Sequence, residues 1–234
     1  LMGPKNALTR PDNEKSIFKV HATQKTLIQV VPDPRSENYR LTMEVRHDLA
    51  NGLSHVGFFF GYRKQKKDAG DELDRGSFYT CTYAERGPLA MSRGKDKRYR
   101  GRTRYEALFF QERTKGRFFT PYRPLCRSYR FPFSPPINRS GEWRTLILEV
   151  SRKQVKAFWK AEDGGLILTG SQTFPELTRK LEEIDREPHP RLLGLPTKFD
   201  PRAPLGLFVE RGEASFRRFT IEPLVAKDKK PAVK

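Results

Sequence analysis

The feature that most constrains this chain is a period of two in its apolar residues. In YRLTMEVRH (39–47), Tyr39, Leu41, Met43 and Val45 alternate with Arg40, Thr42, Glu44 and Arg46. Successive side chains of a strand point to opposite faces, so the segment is a strand with one buried face and one wet face. HVGFFFGY (55–62) is apolar throughout and predicts a strand covered on both faces. Asn51-Gly52 between the two reads as a turn.

The same pattern continues along the chain. SFYTCTYA (77–84) follows a charged loop at 63–76. Further strands fall at 104–112, 143–151, 154–161, 204–210 and 214–224, with EDGG (162–165) as a hairpin turn. Arg217-Arg218 interrupts the alternation of the last of these. A bulge there lets Phe216 and Phe219 both reach the core. Gly206 permits close approach of a neighbouring backbone, and Trp143 reads as a core anchor. Only one stretch has helical spacing. Pro175 sits in its first turn, and Leu177, Leu181 and Ile184 share a face. Roughly ten strands and one helix predict an all-β, antiparallel jelly-roll sandwich, with the helix in a late insertion.

The chain has 234 residues, enough to bury a core without disulfide or metal staples. An aromatic content of 12% excludes an unfolded chain. No apolar run approaches the ~18–20 residues of a membrane-spanning helix. Residues 1–15 read as a linker or arm, 16–224 as one sandwich domain, and 225–234 as a basic tail. The chain begins at Leu1 with no visible signal peptide, which reads as a fragment of a longer protein and leaves its localisation open. Cys81 and Cys126 have no CxxC spacing and read as free, buried thiols, with a disulfide between them as the alternative. His21, His47, His55 and His189 lack metal-ligand spacing. No cofactor is expected. Calcium is the exception considered, because Asp68, Asp71, Glu72 and Asp74 cluster, but without a loop-ligand pattern.

Three segments together resemble concanavalin A-like sandwich domains, closest to the 3-keto-disaccharide hydrolase-type and laminin G-like bacterial group. The first is ENYRLTMEVRH followed by HVGFFFGY. The second is GEWRTLILEVSRKQVKAFW (141–159), and the third is APLGLFVERGEASFRRFTIEPL (203–224). Order and spacing agree over most of the chain. FWKAEDGGLI keeps a Gly-bearing turn but lacks the Asn usual there. Segments 85–103 and 170–203 are insertions relative to the plain pattern. The resemblance implies a fold that hosts many functions, often as a module appended to another domain.

Three constellations could carry function. RYEALFFQE resembles the "yE.qi.d" strand of the hydrolase-type family, which places Tyr105 and Glu106 on the motif. Glu106 is the one candidate catalytic residue, as a general acid or base. It would need a second carboxylate, with Glu44, Glu149 and Glu210 as guesses. The alternative is that Glu106 pairs with a neighbouring arginine. Second, Tyr62, Tyr79, Tyr83, Phe109 and Trp159 could stack sugars, or else fill the core. The proposed ligand-binding set is Tyr62, Tyr105, Glu106, Phe109 and Trp159.

Third, residues 93–130 carry more than half of the net charge of +18. Arg93, Lys95, Lys97, Arg98, Arg100, Arg102, Arg104 and Arg123 lead this polyanion patch, with Tyr99, Tyr105, Tyr122 and Tyr129 interleaved. Arginines alternating with aromatic rings can hold phosphates or sulfates while stacking on bases or sugars. The alternative is a solvated loop, or one docked on an acidic neighbouring domain. No nucleophile elbow, P-loop, dinucleotide-binding glycine motif or HExxH is present. The expected function is a non-catalytic accessory module of a larger bacterial multidomain protein, binding a carbohydrate or a neighbouring domain. A 3-keto-disaccharide-type glycoside hydrolase and a polyanion binder are the alternatives.

Overall fold

A computed structural model describes residues 8–11, 17–23, 25–64, 76–86, 104–112, 129–130, 141–161, 163–185 and 198–224. Eleven strands and one helix lie among them: β1 (Leu8–Pro11), β2 (Phe18–Ala22), β3 (Thr26–Val31), β4 (Tyr39–Lys64), β5 (Gly76–Arg86), β6 (Arg104–Glu112), β7 (Tyr129–Arg130), β8 (Trp143–Val150), β9 (Gln154–Lys160), β10 (Leu166–Thr173), α1 (Phe174–Asp185) and β11 (Leu205–Pro223). Every pairing is antiparallel. The chain is an all-β antiparallel sandwich with one short helix.

Two strands run through both layers. The first half of β4 pairs with β8 and with the second half of β11; the second half of β4 pairs with β5 and with the first half of β11. One layer is therefore ordered β1-β2-β11-β4-β8-β9-β10, and the other β3-β11-β4-β5-β6-β7. The expected Asn51-Gly52 turn does not reverse the chain. The strand bends there instead, opposite a register shift between Glu210 and Gly212 where Arg211 takes φ 54. The bulge supplies the change of direction that a turn was expected to give.

Alternation places Tyr39, Leu41, Met43 and Val45 in the main core, as read from sequence. The apolar run of β4 is buried on both sides. Val56, Phe58 and Phe60 join the main core, while Phe59 packs with Leu27, Phe78 and Phe208 in a second cluster. Each buried Phe contributes roughly 2–3 kcal/mol. The Arg217-Arg218 bulge is present: the register with β4 shifts between Arg217 and Thr220, and Arg218 takes φ 51. Phe216 and Phe219 both contact the core. Gly206 is needed as expected, because a Cβ there would lie 2.0 Å from the Ile28 carbonyl oxygen. Trp143 departs from expectation. It starts β8 on the opposite face from Leu146 and Leu148, with the guanidiniums of Arg217 and Arg46 at 4.0 and 4.9 Å from its ring. The inward position beside it is taken by Arg144, which is buried, ion-paired with Glu142 and over the Trp159 ring.

Thr173 caps α1. Its hydroxyl accepts from the Glu176 amide, and Glu176 Oε2 accepts from the Thr173 amide at 2.8 Å, a reciprocal capping box. Leu177 fastens the helix to the core. Part of the expected arm, Leu8–Pro11, forms an edge strand on β2.

Candidate functional site

The bend that joins the layers is polar and closed. His47 and Ser54 are buried there. Ser54 Oγ donates to the Glu210 carbonyl at 2.8 Å and accepts from His47 Nε2 at 2.7 Å. Burial pushes the His47 pKa down to about 4, against the pull of Asp48. Gly212 makes room, since a Cβ would sit 2.4 Å from the Leu49 carbonyl. With no solvent access, this cluster holds the bend and offers nothing to a ligand.

An open cleft of about 520 Å³ lies elsewhere, at the end of β4. Tyr62 forms one wall. Its ring meets Phe59 edge-on at 6.4 Å and Phe78 at 6.1 Å, so the second apolar cluster fixes it. Its amide donates to the Pro204 carbonyl at 3.1 Å. Just before it, Gly61 takes φ 64, and a Cβ there would lie 2.8 Å from Phe199. That space lets Phe199 pack on Tyr79, Phe60 and Phe174, anchoring the loop that carries the opposite wall.

The polar wall comes from two copies of one tripeptide. Asp33-Pro34-Arg35 follows β3, and Asp200-Pro201-Arg202 precedes β11. In each, the Asp carboxylate accepts from the Arg amide two residues on, at 2.7 and 3.0 Å. This is the Asx turn that Asp-Pro favours. The turns are cross-linked, because Arg202 donates through Nε and Nη2 to the two oxygens of Asp33, at 3.2 and 2.5 Å. The Arg202 side chain and then the Arg35 amide hold the Asp33 carboxyl below its ordinary range. Asp200 adds a further acceptor. The cleft thus offers one fixed aromatic ring beside one ion pair, Arg202 with Asp33, and one further carboxylate, Asp200.

Of the sequence candidates, Tyr62 lines this cleft. Trp159 does not. It is 4% exposed, edge-on to Tyr83 at 5.7 Å, and part of the main core. Tyr79 and Tyr83 are core residues as well. An aromatic platform of these rings is ruled out by their burial. In register, Tyr105 pairs with Tyr83, Glu106 with Thr82 and Phe109 with Tyr79. The side chains of β6 lie outside the described residues.

Glu44, Glu149 and Glu210, the guessed partners of Glu106, are each engaged by cations. Arg217 and Arg218 donate to Glu44 at 2.6 and 2.8 Å, Arg40 to Glu149 at 3.0 Å, and Lys25 lies 3.8 Å from Glu210. Burial raises the Glu44 carboxyl, but the two arginines outweigh it and hold it below the usual range. Glu210 goes the other way: burial dominates and raises it, with Lys25 opposing. Of the polyanion patch, only the backbone of Arg104 is described, paired with Ala84 and Arg130. Arg93, Lys95, Lys97, Arg98, Arg100, Arg102 and Arg123 lie outside the described residues, as do Asp68, Asp71, Glu72, Asp74 and Cys126. Among the described residues there is no group of three or more His, Cys, Asp or Glu that could hold a metal, and no helix long and apolar enough to cross a membrane.

Asp33, Asp200 and Arg202 were missed in the sequence. The signal that could have found them is the repeated Asp-Pro-Arg, legible as two turns but not as two turns that meet.

No family model matches the chain, and no curated protein matches it. Among solved structures it is similar to a protein from Saccharomyces cerevisiae described as functionally unknown, with 11% identity, 97% of this chain and 96% of that one covered, and a TM-score of 0.49. It is also similar to carbohydrate-binding module CBM66 from Bacillus subtilis (12% identity, 93% and 92% covered, TM-score 0.46). A third is xylan β-1,4-xylosidase from Bacillus halodurans C-125 (10% identity, TM-score 0.48), where 92% of this chain aligns with 34% of that one. At these identities and overlaps the likeness does not extend to function.

Proposed function

We propose that this chain is a carbohydrate-binding module that holds a neutral sugar in the Tyr62 cleft without turning it over, as an accessory part of a longer protein. The observation that carries the reading is the pairing of Arg202 with Asp33 beside a fixed Tyr62 ring. A sugar presents apolar C–H faces and rings of hydroxyls. It is held by one aromatic surface and a few fixed donors and acceptors. Here the Asp33 carboxylate keeps lone pairs and the Arg202 guanidinium keeps N–H groups while their charges cancel, and Asp200 adds one more acceptor.

The hydrolase that the sequence resemblance implies is less well supported. A general acid needs a raised pKa, whereas Arg202 keeps Asp33 ionised. Glu106 and Glu210 stand on strands three spacings apart through β4 and β5. At ~4.8 Å per spacing their strands lie about 14 Å apart, and the Glu210 carboxylate is already engaged by Lys25 at 3.8 Å.

Titration of the purified chain with neutral oligosaccharides, heparin and duplex DNA at low and high salt tests the reading. Saturable binding of a neutral sugar is expected, insensitive to salt, weakened at least tenfold by Tyr62→Ala and by Arg202→Ala, with no sugar consumed. Binding only to heparin or DNA, fading with salt, would replace it with the polyanion reading. Turnover that disappears in Glu106→Gln would replace it with the hydrolase.

A further inference from the structure

The first layer ends at β10, and among the described strands β10 pairs with β9 alone. Its other edge therefore carries backbone groups able to pair with a further strand. Edge strands ordinarily carry a charge or a proline against such pairing. The strand at the opposite end of the layer, β1, has both, in Arg10 and Pro11. β10 reads LILTGSQT and has neither, in a chain of which 32% is charged. A register shift between Leu168 and Gly170 leaves 166–168 as the regular stretch.

That stretch is apolar on its outer face. Leu166 is 47% exposed and Leu168 50% exposed, while Ile167 between them packs against the main core. The outer face continues inward from the edge. Leu168 is in register with Phe158 of β9, and Phe158 with Ile147 of β8. The neighbours of Phe158 in sequence, Ala157 and Trp159, belong to the main core, as do Leu146 and Leu148 on either side of Ile147. Ile147, Phe158 and Leu168 thus form an apolar row across the outer face that stops at the open edge.

The edge matches itself. Antiparallel pairing about a two-fold axis at Ile167 sets Leu166 opposite Leu168 of a second copy, and Leu168 opposite its Leu166. An axis at Leu168 would set Leu166 against Gly170, which pairs with the core residue Ala157 and lies on the inner face. With the axis at Ile167 the apolar row runs unbroken from Ile147 through Phe158 and Leu168 to Leu166 of the second copy. Charge does not oppose this seam. Lys160, in register with Leu166, and its counterpart stand on strands three spacings apart. That is about 14 Å, beyond the ~8 Å Debye length at physiological salt.

We propose that β10 is a dimerisation edge, at which two copies of this chain join their first layers into one continuous sheet. None of the residues lining the Tyr62 cleft takes part. A seam centred on 166–168 is small, so a Kd on the order of 10–100 μM is expected.

Sedimentation velocity on the 234-residue chain, from about 1 to 500 μM, tests the proposal. A concentration-dependent dimer is expected. It should tighten as salt is raised, because each copy carries +18 and the seam carries no charge. Amide exchange at 166–168 should slow as the dimer forms. Leu168→Lys should weaken association at least tenfold with the Tm of the dilute monomer preserved. Adding Leu166→Glu to that variant should restore association, because the new carboxylate lies opposite the new ammonium of the second copy. Leu49→Lys, at a residue 45% exposed on β4, should leave association unchanged. A monomer throughout, assembly beyond a dimer, unchanged exchange at 166–168, equal loss in Leu49→Lys, or no recovery in the double variant would each overturn the proposal.

Discussion

Arg202 of one Asp-Pro-Arg turn grips Asp33 of the other, so two loops far apart in sequence share one ion pair at the mouth of a cleft. Asp33→Asn removes one carboxylate and the fixed pair, and leaves Asp200 as the remaining acidic neighbour of Arg202 in the cleft. The neutral sugar is expected to bind at least tenfold more weakly. A sulfated analogue should gain affinity that falls with salt. Calorimetric titration of both ligands at two salt concentrations checks this. Equal loss of both ligands would mean that the turns collapse without the pair.

His47 gives a pH signature. Its folded pKa of about 4 lies below its ordinary value of 6.5, so the folded state disfavours the protonated ring. Its neutral form supports the fold fully above pH 6.5, and that support is lost as pH falls from 6.5 toward 4. The loss is on the order of 3 kcal/mol. Denaturant unfolding at pH 7 and pH 4.5 should show it. His47→Gln, which keeps a donor toward Ser54, should flatten the slope by most of that amount.

Gly206 meets β3 backbone to backbone. A Cβ there would lie 2.0 Å from the Ile28 carbonyl oxygen and 2.8 Å from the Val30 nitrogen. Neither is a side chain that can swing away. Gly206→Ala should cost about 2–3 kcal/mol and loosen the pairing of β3. Unfolding by urea and amide exchange at Thr26–Val31 would measure both effects.

Glu44 accepts from two arginines of unequal exposure. The Arg217 side chain is 29% exposed and stacked on Trp143; that of Arg218 is 71% exposed. Double-mutant cycles should give about 1 kcal/mol of coupling for Glu44 with Arg217 and close to zero for Glu44 with Arg218. Equal couplings would show that burial does not decide between them.

Alternation made the strands legible: Leu41, Met43 and Val45 face inward because the chain is extended and its other face is charged. The bulge at Arg217-Arg218 was legible because two adjacent polar residues break a period of two. β2 and β3 were not, since FKVHA and TLIQVV are too short and mixed to stand out before their partner β11 is known. Asn51-Gly52 misled because its turn chemistry is strong locally, while pairing with β5 and β11 carries the strand through it. The aromatic candidates could not be sorted by sequence. Tyr62 and Trp159 are both strand residues near charged neighbours, and only the tertiary fold decides which ring a cleft exposes. The cleft itself depends on a contact between residues 33 and 202, which no local pattern encodes.

The passage of β4 and β11 through both layers bears on how the chain is made. β4 ends at Lys64, and its central partner begins at Leu205. A ribosome adding ~5–20 residues per second needs roughly ten seconds to span that interval. For that time the apolar run of β4 lacks its β11 neighbour, and neither layer can close. Nascent chains stalled before Leu205 should remain chaperone-dependent and protease-sensitive over their whole length, and both layers should become resistant together once β11 has emerged.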